Sequence, residues 1–408
     1  MPPLDTTTHM LDELSRGAKI SIVELVDSMI EKAELTHASD IHIDPTLKEV
    51  RVRMRIDGVL KDMYSLPKNI YLEVIARIKV LSKLRTDEHQ TTQDGRFRYH
   101  KKSNEEYTDI RVSIIPTYHG ENAVLRLLTD KGNSFTLENL GFSTEDQKKI
   151  LRALKKPNGM ILSTGPTGSG KTTTLYTLIK MLSSPEVSIV TIEDPIEYAM
   201  SDIKQIQVNP KTGLTFANGL RSILRQDPNI IMVGEIRDSE TARIAVNTAL
   251  TGHLLLSTLH TNDAATTLPR LLDMGIEEYL VASTVSIAIG QRLVRKICNH
   301  CKEKTEISRA MRESMPEHMT TFLNETTTFY KGAGCSTCNN SGYSGRICIN
   351  EVLVSDEAIK KAILTKTSSS DIQKIAVASG MTTMFEDGLK KVKNGDTTLE
   401  EVFRVIHE

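Results

Sequence analysis

The stretch Met160-Ile161-Leu162-Ser163-Thr164-Gly165-Pro166-Thr167-Gly168-Ser169-Gly170-Lys171-Thr172-Thr173 decides the fold class of this chain. Its opening, Met160 to Ser163, is a short run with the length and apolarity of a buried strand. Gly165 to Thr172 then fits the pattern GxxxxGK[ST] in full, and Leu175, Leu178, Ile179 and Leu182 follow at helical spacing. Strand, glycine-rich turn and helix form the context in which this motif cradles phosphate. Glycine lets the backbone wrap an anion with its N–H groups aimed inward, and the helix N-terminus adds the positive end of its dipole. Gly165, Pro166, Thr167, Gly168, Ser169, Gly170, Lys171, Thr172 and Thr173 are therefore the expected binding site of a nucleoside triphosphate. Lys171 bridges its β- and γ-phosphates in this reading, and the Thr172 hydroxyl ligates Mg2+.

Outward from this P-loop, strands and helices alternate, with strands expected at 160–163, 187–192, 230–233 and 253–259. Each is a short apolar run, as strands buried on both sides require, so the fold class is α/β with a parallel sheet covered by helices on both faces. Glu193-Asp194-Pro195-Ile196-Glu197 closes the second strand, and Gly234-Glu235 closes the third without an Asp. His253 and His260 flank the fourth. In a parallel sheet these carboxyl ends face one crevice, so acidic and imidazole groups converge on the phosphates.

Composition narrows the function classes. Among 408 residues, 51 Lys and Arg balance 52 Asp and Glu, a formal net charge of -1. Such a balance offers no global field for nucleic acid or an anionic membrane, and no direct nucleic-acid contact is expected. Aromatics at 4%, without Trp, argue against a base-stacking platform. The most apolar stretch, 279–289, is too short to span a bilayer, and Met-Pro-Pro-Leu-Asp does not begin a signal peptide. Five Cys make no disulfide scaffold, and a reduced cytosol fits them.

Upstream, the sequence reads as a separate α/β unit. Ser21 and Glu24 cap a helix bearing Ile22, Leu25, Val26, Met29, Ile30 and Ala33 on one face. Strands follow at 40–45, 50–56 and from Val59, then a helix at 70–84 and strands at 96–99, 108–114 and 122–128. Arg51, Arg53 and Arg55 share one strand face and read as solvated. Lys101 to Glu106 is a polar loop tip, and Thr129 to Ser134 has the composition of a linker. Downstream, Cys298-Asn299-His300-Cys301 and Cys335-Ser336-Thr337-Cys338 are two knuckle-like pairs separated by 33 residues. Four thiolates at such spacing satisfy tetrahedral Zn2+ and close its shell, the mark of a structural site. His300 is a weak substitute ligand, and Cys348 reads as a buried thiol. Helices close the chain, one capped at Ser370-Asp371 and the last by Thr398 and Glu401.

These motifs together resemble the secretion ATPases that power type II secretion and type IV pilus assembly. Val190 to Tyr198 resembles the family's aspartate box, Asp227 to Asp238 its Walker B region, and Ala249 to Asn262 its histidine box. The likeness extends to Ala38-Ser39-Asp40-Ile41-His42, Gln93-Asp94-Gly95-Arg96-Phe97, Gln291-Arg292-Leu293-Val294-Arg295-Lys296 and Gly342-Tyr343-Ser344-Gly345-Arg346, from about residue 35 to the end. It implies a PAS-like α/β domain over 1–130, a linker over 131–140, a RecA-like P-loop ATPase core over 141–297, a zinc module over 298–350 and a helical region over 351–408. It further implies a homo-hexameric, Mg2+-dependent ATPase with structural Zn2+ in the cytoplasm. Such a motor works peripherally at the inner membrane through a platform protein. Many members carry a further N-terminal docking domain, whereas only about 20 residues precede the first helix here. A pilus-retraction ATPase is the nearer rival, although retraction members generally lack the four-cysteine module. A nucleic-acid translocating hexamer is the more distant one.

Hydrolysis needs one carboxylate near the attacking water and another holding the metal's water shell. Glu193 ends the strand where similar hexameric motors place their water-activating glutamate, so it is the expected general base. Glu235 then holds Mg2+ through water. The reverse assignment of the two stands as the alternative, and Glu197 is a secondary candidate. His260 resembles the family's γ-phosphate sensor, while His253 reads equally as a sheet-packing residue. In the family, arginines of the first domain swing onto bound nucleotide. Arg111 and Arg126 match that motif, with Arg96 a weaker candidate; a guanidinium fork suits phosphate oxygens and keeps its charge.

Overall fold

The computed structural model describes residues 21–100, 107–128, 135–306 and 328–407. The loop tip at 101–106 and the linker at 129–134 lie outside them. Contacts divide the chain into two units, Met1–Lys131 and Gly132–Glu408.

In the first unit, α1 (Ile22–Leu35) starts where Ser21 Oγ accepts the Glu24 N–H, and it buries Leu25, Val26, Met29, Ile30 and Ala33. Next come β1 (Ala38–Pro45), β2 (Val50–Ile56), β3 (Val59–Leu66), α2 (Lys68–Leu81), β4 (Gln93–His100), β5 (Tyr107–Thr117) and β6 (Gly120–Leu128). The strands form one antiparallel sheet in the order β3-β2-β1-β6-β5-β4. Alternation sends Ile41, Ile43, Val52, Met54, Ile110, Val112 and Leu125 into a core shared with both helices. The opposite face carries Arg51, Arg53 and Arg55, as their period-two spacing predicts. They are not all simply solvated: Arg53 pairs with Asp44 at 2.6 Å and Arg55 with Asp40 at 3.5 Å.

The second unit opens with α3 (Leu137–Leu140), capped by Thr136 and buried through Leu137 and Leu140. The segment expected as linker thus includes a helical turn, because these leucines close the core. The chain continues through α4 (Thr144–Leu154), β7 (Gly159–Thr164), α5 (Lys171–Leu182), β8 (Ile189–Glu193), β9 (Lys204–Gln207), α6 (Phe216–Ile223) and β10 (Ile230–Val233). It then forms α7 (Ser239–Leu250), β11 (Leu254–Leu259), α8 (Ala264–Asp273), α9 (Glu278–Thr284) and β12 (Val285–Ile297). After β13 (Lys302–Thr305), β14 (Phe329–Gly332) and β15 (Tyr343–Val354), the chain ends in α10 (Glu357–Leu364), α11 (Ser369–Ala378), α12 (Met384–Asn394) and α13 (Leu399–His407).

The main sheet runs β15-β12-β7-β11-β10-β8-β9. All its pairings are parallel except β12 with β15. Successive residues of one strand enter different cores: Met160 and Leu162 one, Ile161 the other. The expected four strands sit inside this sheet, while β9, β12 and β15 widen it. β15 runs through residue 350, where the cysteine module was expected to end, because it pairs with β12 along most of its length. Only β13 and β14 form the small separate ribbon beside the cysteines. In the tail, Ser368 caps α11 in place of Ser370, its hydroxyl accepting the Asp371 N–H at 3.2 Å. Thr398 Oγ1 accepts the Glu401 N–H at 3.4 Å, but the Glu401 carboxylate turns to Arg295 at 2.6 Å and Arg404 at 2.8 Å. No helix among the described residues is long and apolar enough to cross a membrane.

Candidate functional site

Between Thr164 at the end of β7 and Lys171 at the start of α5, the backbone turns through Gly165 (φ 144°) and Gly170 (φ 92°). A Cβ on Gly165 would stand 2.5 Å from the Gln291 carbonyl oxygen and 2.6 Å from Ser169 Oγ, so only glycine fits there. The first helical bond runs from Thr174 N–H to Gly170 O at 3.0 Å. The N–H groups before it have no intrahelical acceptor by helix geometry. The Lys171 amine donates to the carbonyls of Gly165 at 2.7 Å and Pro166 at 2.9 Å. Burial pulls this amine down to about 8, with the charge of Glu235 opposing and that of Arg292 reinforcing the shift. Ser169 Oγ is buried with no hydrogen-bond partner. A cation, a buried hydroxyl and orphan helix donors at one turn are all satisfied by phosphate oxygens, so the residues fit a triphosphate.

The carboxyl edge of the sheet is stitched together by hydroxyls. Thr164 Oγ1 accepts the Thr261 N–H at 3.0 Å, Ser257 donates to Val233 O at 2.7 Å and Thr258 to Gly234 O at 2.7 Å. This pins the P-loop strand, the Glu235 turn and the His260 turn to one another. Glu235 Oε2 lies 3.0 Å from His260 Nε2, and Oε1 lies 2.5 Å from the Arg237 guanidinium. Glu235 and His260 are thus in contact, and Glu235 is near enough for its charge to act on the Lys171 amine.

Glu193 has a different setting. It is 2% exposed, and its carboxylate accepts from the Tyr176 hydroxyl, from Thr191 Oγ1 at 2.6 Å and from Gln205 Nε2 at 3.2 Å. Burial pushes its pKa up against those hydrogen bonds. Tyr176 meets Tyr198 edge to face with centroids 4.6 Å apart. Burial, then the charge of Glu193, push the Tyr176 hydroxyl up, with a smaller contribution from the charge of half-buried Glu197. His253 Nδ1 lies 3.2 Å from the Thr248 carbonyl, a helix-to-strand contact. Sequence reasoning missed Tyr176, Gln205, Arg237 and Gln291 as members of this network. Gln291 is fully buried, accepts from Ser163 Oγ at 2.9 Å and donates to Thr174 Oγ1 at 2.9 Å, tying β12 to the P-loop strand and helix. A glutamine in a quoted motif carried no spacing signal for this; only the pairing of β12 with β7 reveals it.

The four cysteine sulfurs of Cys298, Cys301, Cys335 and Cys338 lie within 4.8 Å of one another. Three of their separations are 3.9, 3.8 and 3.7 Å. Tetrahedral Zn–S bonds of about 2.3 Å place sulfurs about 3.8 Å apart, so the cluster fits zinc with every ligand from protein. His300 is exposed and stands outside this ligand set. Cys348 is buried and accepts from Gln291 Nε2 at 3.3 Å.

In the first unit, Arg111 and Arg126 face each other across β5 and β6. Arg126 Nε is 2.8 Å from Asp40 Oδ1.

Comparison with known proteins identifies the lineage. The family described as "Type II/IV secretion system protein" matches residues 16–404. The chain belongs to the type II/IV secretion system protein family. A type II secretion system protein E of Xanthomonas campestris pv. campestris is 44% identical over 398 residues, spanning 96% of this chain and 68% of that protein. The type IV pilus assembly ATPase PilB of Thermus thermophilus is 45% identical over 383 residues, spanning 93% of this chain but 42% of its own. Among solved structures, the pilus retraction motor PilT with bound ADP superposes with a TM-score of 0.63 at 26% identity, covering 93% of this chain and 96% of that one. The enzyme class of this secretion-system family is ATPase, and its fold is the P-loop α/β sheet described above.

Proposed function

We propose that this chain hydrolyses MgATP to drive assembly of a pilus or secretion pseudopilus, as a ring of six acting through an inner-membrane platform protein at the cytoplasmic face. The observation that carries the catalytic part is the complete phosphate cradle around Lys171, with Glu235 near enough to act on that amine and His260 bonded to Glu235. Kinship with a secretion protein E and a pilus assembly ATPase supports the machine. The four-cysteine cluster supports assembly over retraction, by the family pattern given above. In this reading the first unit is the PAS-like domain and the second the RecA-like core with its zinc module and C-terminal helices. A closed ring satisfies every head-to-tail interface.

Lys171 neutralises the β- and γ-phosphates, and Thr172 and Glu235 would hold Mg2+, which draws charge from the transferring phosphoryl group. His260, bonded to Glu235, senses the γ-phosphate. Arg111 and Arg126 grip that phosphate when the first unit closes on a bound nucleotide. The setting of Glu193 favours a bracing role over its expected one as general base, since three donors and burial leave its carboxylate poorly placed to take a proton from water. Glu197, in the loop just after that strand and less buried, is the better candidate for that step.

The carboxylate series tests this. Glu197→Gln should bind ATP yet lose turnover by about 10²-fold or more, the usual yield of a positioned base. Glu235→Gln should chiefly raise the Mg2+ requirement, and Glu193→Gln should lower melting temperature more than turnover. An inactive but stable Glu193→Gln beside an active Glu197→Gln would return the base to Glu193.

A further inference from the structure

The segment 194–203 between β8 and β9 forms neither strand nor helix, and it carries Glu197. A loop without its own backbone ladder restrains a side chain poorly, whereas a general base must stay within about 3 Å of the proton it takes. Two side chains outside the loop supply the restraint. Tyr176, 1% exposed on α5, accepts a hydrogen bond from the Glu197 backbone and meets the Tyr198 ring edge to face at 80°. Gln205, the second residue of β9, accepts the Met200 N–H at 2.7 Å and donates through Nε2 to the Tyr198 carbonyl at 3.2 Å.

The two restraints are joined through Glu193. Its buried carboxylate takes the hydrogen of the Tyr176 hydroxyl, which leaves the hydroxyl oxygen to accept from the loop. The same carboxylate accepts Gln205 Nε2 at 3.2 Å, and that nitrogen stands 3.4 Å from the Tyr176 oxygen. Gln205 faces Thr191 in register across β8 and β9, so the sheet fixes its backbone. Tyr176 follows Lys171 by five residues on α5, about 7.5 Å along the helix axis. The helix that presents the lysine to phosphate therefore also holds the backbone of Glu197. Packing alone does not call for these polar groups: Phe fills nearly the volume of Tyr, and a buried carboxylate costs stability even when it is hydrogen-bonded.

We infer that Tyr176 and Gln205, tied together by Glu193, are positioning residues for hydrolysis: they clamp the loop 194–203 so that Glu197 is held ready to take the proton of the attacking water. This rests on the reading that Glu197 is the general base. Neither clamp residue acts on nucleotide except through that loop. Glu193→Gln still offers an oxygen to the Tyr176 hydroxyl, which agrees with the small turnover effect expected of it above.

The test measures single-turnover ATP hydrolysis by the full chain, alongside its affinity for a non-hydrolysable ATP analogue. Tyr176→Phe keeps the ring contact and removes only the hydroxyl. It should slow hydrolysis about tenfold and change analogue affinity less than about twofold, since lost alignment costs the reacting state and not binding. In a Glu197→Gln background the same substitution should cost nothing further, because the group it positions is already gone. A merely structural role would slow both backgrounds by one factor. Gln205→Met, similar in length but without the amide, should repeat the pattern, and it decides the matter should Tyr176→Phe fail to fold. An unchanged rate in folded Tyr176→Phe, or in Gln205→Met in its place, overturns the inference, as does an equal loss in both backgrounds. If Glu197→Gln alone hydrolyses ATP at the wild-type rate, the base reading itself has failed. If it is slow while the Tyr176 and Gln205 variants keep full rate, only the clamp is wrong.

Discussion

In the second unit the sheet is buried on both faces and the candidate site sits at one edge, where β7, β10 and β11 give way to Gly165, Glu235 and His260. In the first unit one face is covered by α1 and α2, and the charge lies in rows on the other. Strand direction accounts for the difference. Parallel strands all end on the same side, so the residues just past them converge on a point. Antiparallel strands end on alternate sides; what they align is every second residue across the face. The edge is suited to bond-breaking, where groups must meet within about 3 Å of a reacting atom. The face is suited to contacts spread along a row.

That contrast predicts how the two regions fail. Lys171→Ala, at the edge, should abolish hydrolysis, a loss of at least about 10²-fold in an ATPase assay, since it removes the cation at the developing charge. Activity surviving in that variant would remove the nucleotide site from this crevice. Arg111→Ala or Arg126→Ala, on the face, should cost about tenfold in kcat with little change in ADP affinity, because the proposed contact to the γ-phosphate is one that ADP cannot make. An equal loss in ADP affinity would instead make these arginines part of ground-state binding.

A smaller effect comes from pH. Burial lowers the Lys171 amine from 10.5 to about 8, and only its protonated form attracts phosphate. ATP affinity should fall about threefold between pH 7.5 and 8.5, from the protonated fraction alone, and titration calorimetry would show proton uptake on binding. The sign for stability is the opposite: the folded state releases this proton before the unfolded one, so nucleotide-free stability rises as pH climbs from about 8 toward 10.5. A flat affinity profile would mean that the amine is charged throughout. Least of all should hydrolysis respond to Cys301→Ser. One zinc per chain should be lost and proteolysis should enter the β13–β14 ribbon, while β12 and β15 stay paired in the core sheet. Collapse of the P-loop core on metal loss would show that the cluster and the sheet fold as one.

Much of this was legible in the chain. The P-loop is readable because each requirement is local: glycine for the turn, lysine and threonine at the helix start, an apolar strand before it. The two cysteine pairs are readable for the same reason, and so is the period-two alternation that put Arg51, Arg53 and Arg55 on one face. β12 and β15 were not seen as strands, since Tyr343–Val354 becomes one by pairing with Val285–Ile297 about 50 residues earlier.

What the sequence by itself determined, then, is which residues can bind phosphate, ligate zinc or fill a core, because those abilities belong to side chains and to short stretches of backbone. The tertiary structure alone decided which of them meet. Glu193 ends its strand as expected, and only the fold brings the hydroxyl of Tyr176 and the amide of Gln205 onto its carboxylate. Asp40 and Arg126 meet from 86 residues apart in sequence, because β1 pairs with β6. A carboxylate's role depends on burial and on which donors reach it, and both are set by strand pairing at long range.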